Sequence, residues 1–201
     1  MNYLAHIFLA RHSDRAMLGA MLGDFVKADF AGRYGAEVET EILIHRKVDA
    51  YTDSHPVVRA ARQKFESGRR RFAGIVLDVF YDHALAQNWS SYCGIPLDDF
   101  IGDFYRALAE NRALLPQRLA EIVPMIVDED WLGSYRDIAG FETTVRRISR
   151  RLSRNGDLLR DGLLDVRENY AFLCDGFDEF FPQLIRFAEA QRASMQASGS
   201  S

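Results

Sequence analysis

The sequence predicts an all-α protein folded as a single compact helical domain. Apolar residues recur at helical spacing along nearly the whole chain, and alternating β-branched runs bounded by turn residues are scarce. Helices are expected over residues 2–10, and from Ser13, a good N-cap, to the Gly23-Asp24 pair. The next spans 36–52, after the breaker Ala31-Gly32-Arg33-Tyr34-Gly35, and another starts at Ser54-His55-Pro56, where Pro56 suits a first helical position. Gly68 precedes a segment over 69–89; Gly94 and Pro96 precede 97–114; Pro116 opens a helix reaching 127. The last two are expected over 131–153 and 158–193, the latter kinked or broken at Pro182. The domain then covers 1–193, and the small polar residues of 194–201 read as a flexible tail.

Composition narrows the function classes. A chain of 201 residues can bury a core without disulfides, and 48% hydrophobic with 27% charged residues excludes a disordered or fibrous protein. The net charge of -4 provides no global positive field, so no nucleic-acid partner is expected. Cys93 and Cys174 lack the spacing of a zinc or redox motif and fit a reducing cytoplasm. No stretch has the length of a membrane helix, and the opening segment lacks the basic region of a signal peptide. GxSxG, GxGxxG and GxxxxGK[ST] motifs are absent, which disfavours serine hydrolase and nucleotide-fold chemistry.

Chemistry concentrates in two segments. Residues 74–85 are apolar nearly all round, as a core helix is, yet carry Asp78, Asp82 and His83. A buried carboxylate costs several kcal/mol unless it is paired, protonated or bound to a cation. Asp78 and Asp82, four apart, share a helix face, and His83 is rotated from Asp82 by roughly 100°. Residues 42–56 carry His45 and Asp49 at the same spacing, which lets two side chains ligate one ion, with Asp53 a turn further on. Neutral imidazole with several carboxylates suits Mn²⁺, Fe²⁺ or Mg²⁺ better than structural zinc, and a metal-assisted hydrolase is the working expectation. Each piece has a plainer reading. Asp78 and Asp82 pair with Arg46 or Arg59; His45 and Asp49 lie on a solvated face; Asp24 and Asp53 end or cap helices; His6 is a core histidine; His55 is structural. The basic run Arg69, Arg70 and Arg71 and the cluster Arg146, Arg147, Arg150, Arg151 and Arg154 are either solvated faces or docking surfaces for an acidic partner.

With these residues assembled, the chain resembles the bacterial acyl-carrier-protein phosphodiesterase family over most of its length. The likeness rests on Met1-Asn2-Tyr3-Leu4-Ala5-His6, on Gly23-Asp24-Phe25-Val26, and on His45-Arg46-Lys47-Val48-Asp49 with Thr52-Asp53. It continues through Leu77-Asp78-Val79, Asp82-His83 with Trp89, Trp131-Leu132 and Tyr135-Arg136-Asp137. The resemblance implies a divergent HD-domain-like phosphohydrolase fold. The implied reaction is Mn²⁺- or Mg²⁺-dependent hydrolysis of the phosphodiester joining 4′-phosphopantetheine to a serine of holo-acyl carrier protein. One departure stands out: the adjacent pair reads Asp82-His83, the reverse of the usual His-Asp order.

On this basis Asp24, His45, Asp49, Asp78 and Asp82 are expected to bind the metal. His83 is expected to assist as acid or support, and His6 and Arg46 to contact phosphate or orient ligands. The implied partner is acyl carrier protein, a small acidic protein drawn in by the arginine clusters. The alternatives are an HD-type phosphohydrolase acting on a nucleotide or other small phosphate ester, and a non-catalytic module that binds acyl carrier protein.

Overall fold

The computed structural model describes residues 1–199, and among them it contains eleven α-helices and no strand. In chain order these are α1 (Tyr3–Leu9), α2 (Asp14–Leu22), α3 (Ala36–Ser54), α4 (Pro56–Gln63), α5 (Ala73–Gln87), α6 (Trp89–Tyr92), α7 (Leu97–Glu110), α8 (Gln117–Asp128), α9 (Ile138–Arg151), α10 (Gly156–Glu168) and α11 (Tyr170–Gly199). Short 3₁₀ turns lie at Arg70–Phe72, Arg112–Leu114 and Gly133–Arg136. No described helix is long and apolar enough to cross a membrane.

The apolar α5 is the hub. It packs against α1, α4, α9, α10 and α11, burying Val76, Leu77, Phe80, Tyr81 and Leu85. An aromatic layer from α11 closes on it: Phe177 and Phe180 each lie 5.7 Å from Tyr81, and Phe181 lies 5.5 Å from Phe8 of α1. Beside this core, α2 lies along α3. A methyl group on Gly19 would come within 2.5 Å of the Val38 carbonyl oxygen, so only glycine permits the approach. Two expected helix starts have the anticipated caps. The Ser13 hydroxyl accepts from the Ala16 N–H at 3.0 Å, and His55 Nδ1 accepts from the Val57 N–H beside Pro56.

Three boundaries differ from the periodic pattern, each for a local reason. The segment expected as one helix over 69–89 opens with a 3₁₀ turn, and Arg69 is held there by the Asp165 carboxylate at 2.7 and 2.8 Å. The segment over 131–153 begins as another 3₁₀ turn, because Asp130 adopts a left-handed φ of 43° and its carboxylate accepts from the Gly133 N–H. In the last segment the break falls at Asn169, whose side-chain amide donates to the Asp165 carbonyl at the end of α10. Pro182 lies inside the continuous α11. The helix continues to Gly199 through most of the expected tail, and residues 200 and 201 lie outside the described residues.

Candidate functional site

The N-terminal segment is fastened to α5 and aims α1 at α3. The Asp82 carboxylate is fully buried and accepts from the first free N–H groups of α1, Leu4 at 2.8 Å and Ala5 at 3.0 Å. The Asn2 N–H donates to the Asp78 carbonyl oxygen at 3.3 Å, and the Asn2 side-chain amide donates to the Tyr135 hydroxyl. Thus anchored, α1 presents His6 to His45 of α3. The two imidazoles stack with centroids 3.7 Å apart and planes inclined by 17°.

His45 is set from two sides. Its Nδ1 lies 2.8 Å from the Ala20 carbonyl oxygen, which can only accept, so Nδ1 carries a proton and Nε2 faces the site. Gly23 makes room for the ring, since a methyl group there would lie 2.2 Å from its Cγ. Nε2 is 3.3 Å from an Asp49 oxygen and 3.4 Å from an Asp24 oxygen. Asp49 is the focus of the cluster: Oδ1 accepts from His6 Nε2 at 3.0 Å and from the Met1 amino group at 3.1 Å. That amino group also lies 3.2 Å from Asp78. The imidazoles are buried, whereas the side chains of Asp24, Asp49 and Asp78 are 45%, 41% and 39% exposed, so the site opens to solvent on its carboxylate side.

The electrostatics follow from this crowding. Burial and the adjacent His45 charge push the His6 imidazole down to about 4, leaving it neutral. For His45, burial opposes the charge but Asp24 and Asp49 overcome it and push the imidazole up to about 9. Burial likewise disfavours the Asp49 charge, yet hydrogen bonds from His45 and His6 hold that carboxyl well below the usual carboxylate range. Asp24 is lowered by His45 against its own burial. Asp78 is raised by burial, with the Met1 amino group working the other way.

One imidazole nitrogen each of His6 and His45 and an Asp49 oxygen all lie within 4.8 Å of one another. These three fit a divalent ion, with Asp24 and Asp78 alongside. The hydrogen bond from His45 Nδ1 to a carbonyl is the support a ligating imidazole ordinarily has, and it leaves Nε2 for the metal. In the metal-free protein, stability is expected to decline as pH rises from the ordinary 6.5 of a histidine through about 9. The His45 proton, bound more tightly folded than unfolded, contributes fully below that window and is lost across it. Thermal melts in chelator at stepped pH test this, and a flat profile in which His45→Gln behaves as the parent would contradict it.

Of the expected site residues, the structure brings His45, Asp49, Asp24 and Asp78 together and adds His6 as a potential ligand. It does not bring three others in. Asp82 is a correction: both of its oxygens are committed to the N–H groups of α1. His83 is another, because Nδ1 donates to the Tyr135 carbonyl at 2.7 Å and Nε2 meets the Tyr170 hydroxyl at 2.8 Å, between Phe141 and Phe80. Arg46 is the third. Its guanidinium donates to the Val26 and Lys27 carbonyls and lies over the Phe30 ring, holding the loop that follows Asp24. Asp53 pairs with Arg62. Sequence reasoning missed the Met1 amino group and the Ala20 carbonyl, and no side-chain pattern announces either.

No solved structure matches the chain. The family model described as acyl carrier protein phosphodiesterase matches residues 1–184. Curated relatives named acyl carrier protein phosphodiesterase from Salmonella agona (strain SL483) and Salmonella newport (strain SL254) are each 34% identical over 196 residues. That alignment covers 97% of this chain and 100% of each relative. With the match spanning both the N-terminal segment that carries His6 and the helices that carry His45, Asp49 and Asp78, the chain belongs to the acyl carrier protein phosphodiesterase family.

Proposed function

We propose that this protein is a divalent-metal-dependent phosphodiesterase that releases 4′-phosphopantetheine from holo-acyl carrier protein and leaves the carrier serine free. Family membership supports the substrate, and the observation that carries the metal requirement is the convergence of His6, His45 and Asp49. Charge balance supports it as well. Asp24, Asp49 and Asp78 outnumber the two cationic groups they face, protonated His45 and the Met1 amino group. A mouth of that sign repels a phosphodiester unless a cation joins it.

His6, His45 and Asp49 would hold the ion, with Asp24 and Asp78 as the remaining ligand candidates. A bound Mn²⁺ or Mg²⁺ would supply Lewis acidity, making water more acidic and neutralising charge on the phosphate oxygens. The chain's own residues do the rest. His45 must give up its Nε2 proton to ligate, and the hydrogen bond to Ala20 keeps the ring oriented as it does so. The packed imidazoles keep water from the inner side, so the phosphodiester approaches from the open carboxylate side. Water attacks phosphorus, the bond to the serine oxygen breaks, and the proton lost by water is returned to that oxygen.

Docking of an acidic carrier is assigned to the exposed arginines of α9 and the turn after it: Arg146, Arg147, Arg150, Arg151 and Arg154. Arg70 and Arg71 are exposed as well, but Arg69 is not available, being tied to Asp165 and Glu66. A cytoplasmic setting accords with two free cysteines. The test measures release of 4′-phosphopantetheine from holo-carrier with and without chelator, beside turnover of free nucleotides. Metal-dependent release that is selective for the carrier is expected, and faster nucleotide turnover would overturn the substrate assignment. In the same assay Arg150→Glu with Arg154→Glu is expected to raise KM about tenfold at low salt with little change in kcat, an effect that shrinks as salt is added.

A further inference from the structure

Beyond the cation cluster, the first turn of α1 borders a second cavity. It measures about 70 Å³ and lies between the N-terminal segment, the Gly133–Arg136 turn and α9. Its lining includes Tyr3, Trp131, Tyr135, Thr144, Arg147 and Arg151. Neither the metal centre nor the core requires this opening, since Tyr135 is already buried and Trp131 stands at the edge.

Residues 1–6 link the cavity to the cluster along the chain. Asn2 lines it and is fastened by its backbone to the Asp78 carbonyl, Met1 contacts Asp49 and Asp78, and His6 follows one turn along α1. Tyr3 lies against Phe25, the residue after Asp24, with ring centroids 6.3 Å apart. The same short segment therefore serves both the carboxylate mouth and this cavity. Its walls are chemically mixed. Aromatic faces suit a branched aliphatic group, and the Thr144 hydroxyl offers both a donor and an acceptor. One N–H of the Asn2 amide goes to Tyr135, and its side-chain oxygen can accept. Arg151 is exposed at the rim, and Arg147 beside it is paired with Glu129 at 2.7 Å. An uncharged chain of amides and methyl groups has this distribution of needs.

We propose that this cavity is the binding site for the pantetheine arm of the substrate, holding the arm while its phosphate end lies at the carboxylate mouth; this rests on the phosphodiesterase reading above. The arm enters with its gem-dimethyl group against Tyr3 and Trp131 and its amides toward Thr144 and Asn2. It is a selectivity site: it favours phosphodiesters that carry this arm over diesters that lack it.

Two measurements test the proposal. In the first, free pantetheine is titrated into the metal-free full-length protein while the indole N–H of Trp131 and the amides of residues 133–151 are followed by NMR. Saturable shifts confined to these signals, lost in Thr144→Trp, are expected; no shift at millimolar pantetheine overturns the site. In the second, kcat/KM for holo-carrier is divided by that for bis(p-nitrophenyl) phosphate, a diester with no arm. Thr144→Trp, checked for folding by its thermal melt, is expected to lower that ratio at least about tenfold, and Thr144→Val, which removes only the hydroxyl, to lower it less. A parent enzyme that cleaves holo-carrier while both variants leave the ratio unchanged overturns the cavity assignment and keeps the phosphodiesterase reading. A parent that binds pantetheine at these residues but does not cleave holo-carrier overturns that reading and keeps the cavity.

Discussion

Asp49→Ala is expected to weaken divalent-metal binding at least about 100-fold and to lower kcat/KM for holo-carrier about 10³-fold, some 4 kcal/mol of transition-state stabilisation. The size of the effect follows from its position, for this one carboxylate meets His6, His45 and the Met1 amino group at 3.0 to 3.3 Å. Without it His45 loses one of the two carboxylates that sustain its charge, and the cluster keeps no ligand shared between its two imidazoles. Titration calorimetry with Mn²⁺ reads the first effect and phosphopantetheine release the second. An Asp49→Ala protein that still binds the ion and still turns over at the parental rate would end the metal-centre assignment.

The second large effect is on folding. Asp82→Ala leaves the Leu4 and Ala5 N–H groups buried without acceptors, which is expected to cost about 2–4 kcal/mol, or about 5–15 °C in Tm. Asp82→Asn keeps one acceptor oxygen and is expected to lose less, while its Mn²⁺ affinity stays within a few-fold of the parent. Loss of the metal with retained stability would instead make Asp82 a ligand. The pH dependence has a definite sign. Burial lifts the Asp82 carboxyl to about 7 against the pull of the two N–H groups, from an ordinary 3.8. The folded protein therefore holds this proton more tightly than the unfolded chain, and the associated stability is present in full below 3.8 and lost as pH rises through about 7. Asp82→Asn removes this component, so the difference in Tm between parent and variant should change across that window.

Local features of the site were readable from the sequence because helical spacing is a local property. His45 and Asp49 share a face of α3 as their four-residue interval requires, and both orient toward one point. Glycine shows a limit of that locality. Gly23 was read only as part of a helix end, and the packed α3 reveals that it also makes room for the His45 ring. Asp78 and Asp82 show where such reasoning ends. Their spacing places both on one side of α5, but the cap of α1 takes Asp82 and the cation cluster takes Asp78. Arg46 and His83 likewise satisfied a pattern of residue types while their donors were claimed by loop and turn carbonyls.

From its amino acids alone, this chain is committed to helices, to a core built around residues 74–85, and to a pair of acid-bearing faces too polar to be buried without a partner. Which side chains meet was decided by tertiary structure: His6 lies against His45 because Asp82 anchors α1, 77 and 78 residues away in sequence. Periodicity specifies the direction of a side chain from its own helix axis, whereas a binding site depends on what another helix places opposite it, and that is settled only when the whole core packs.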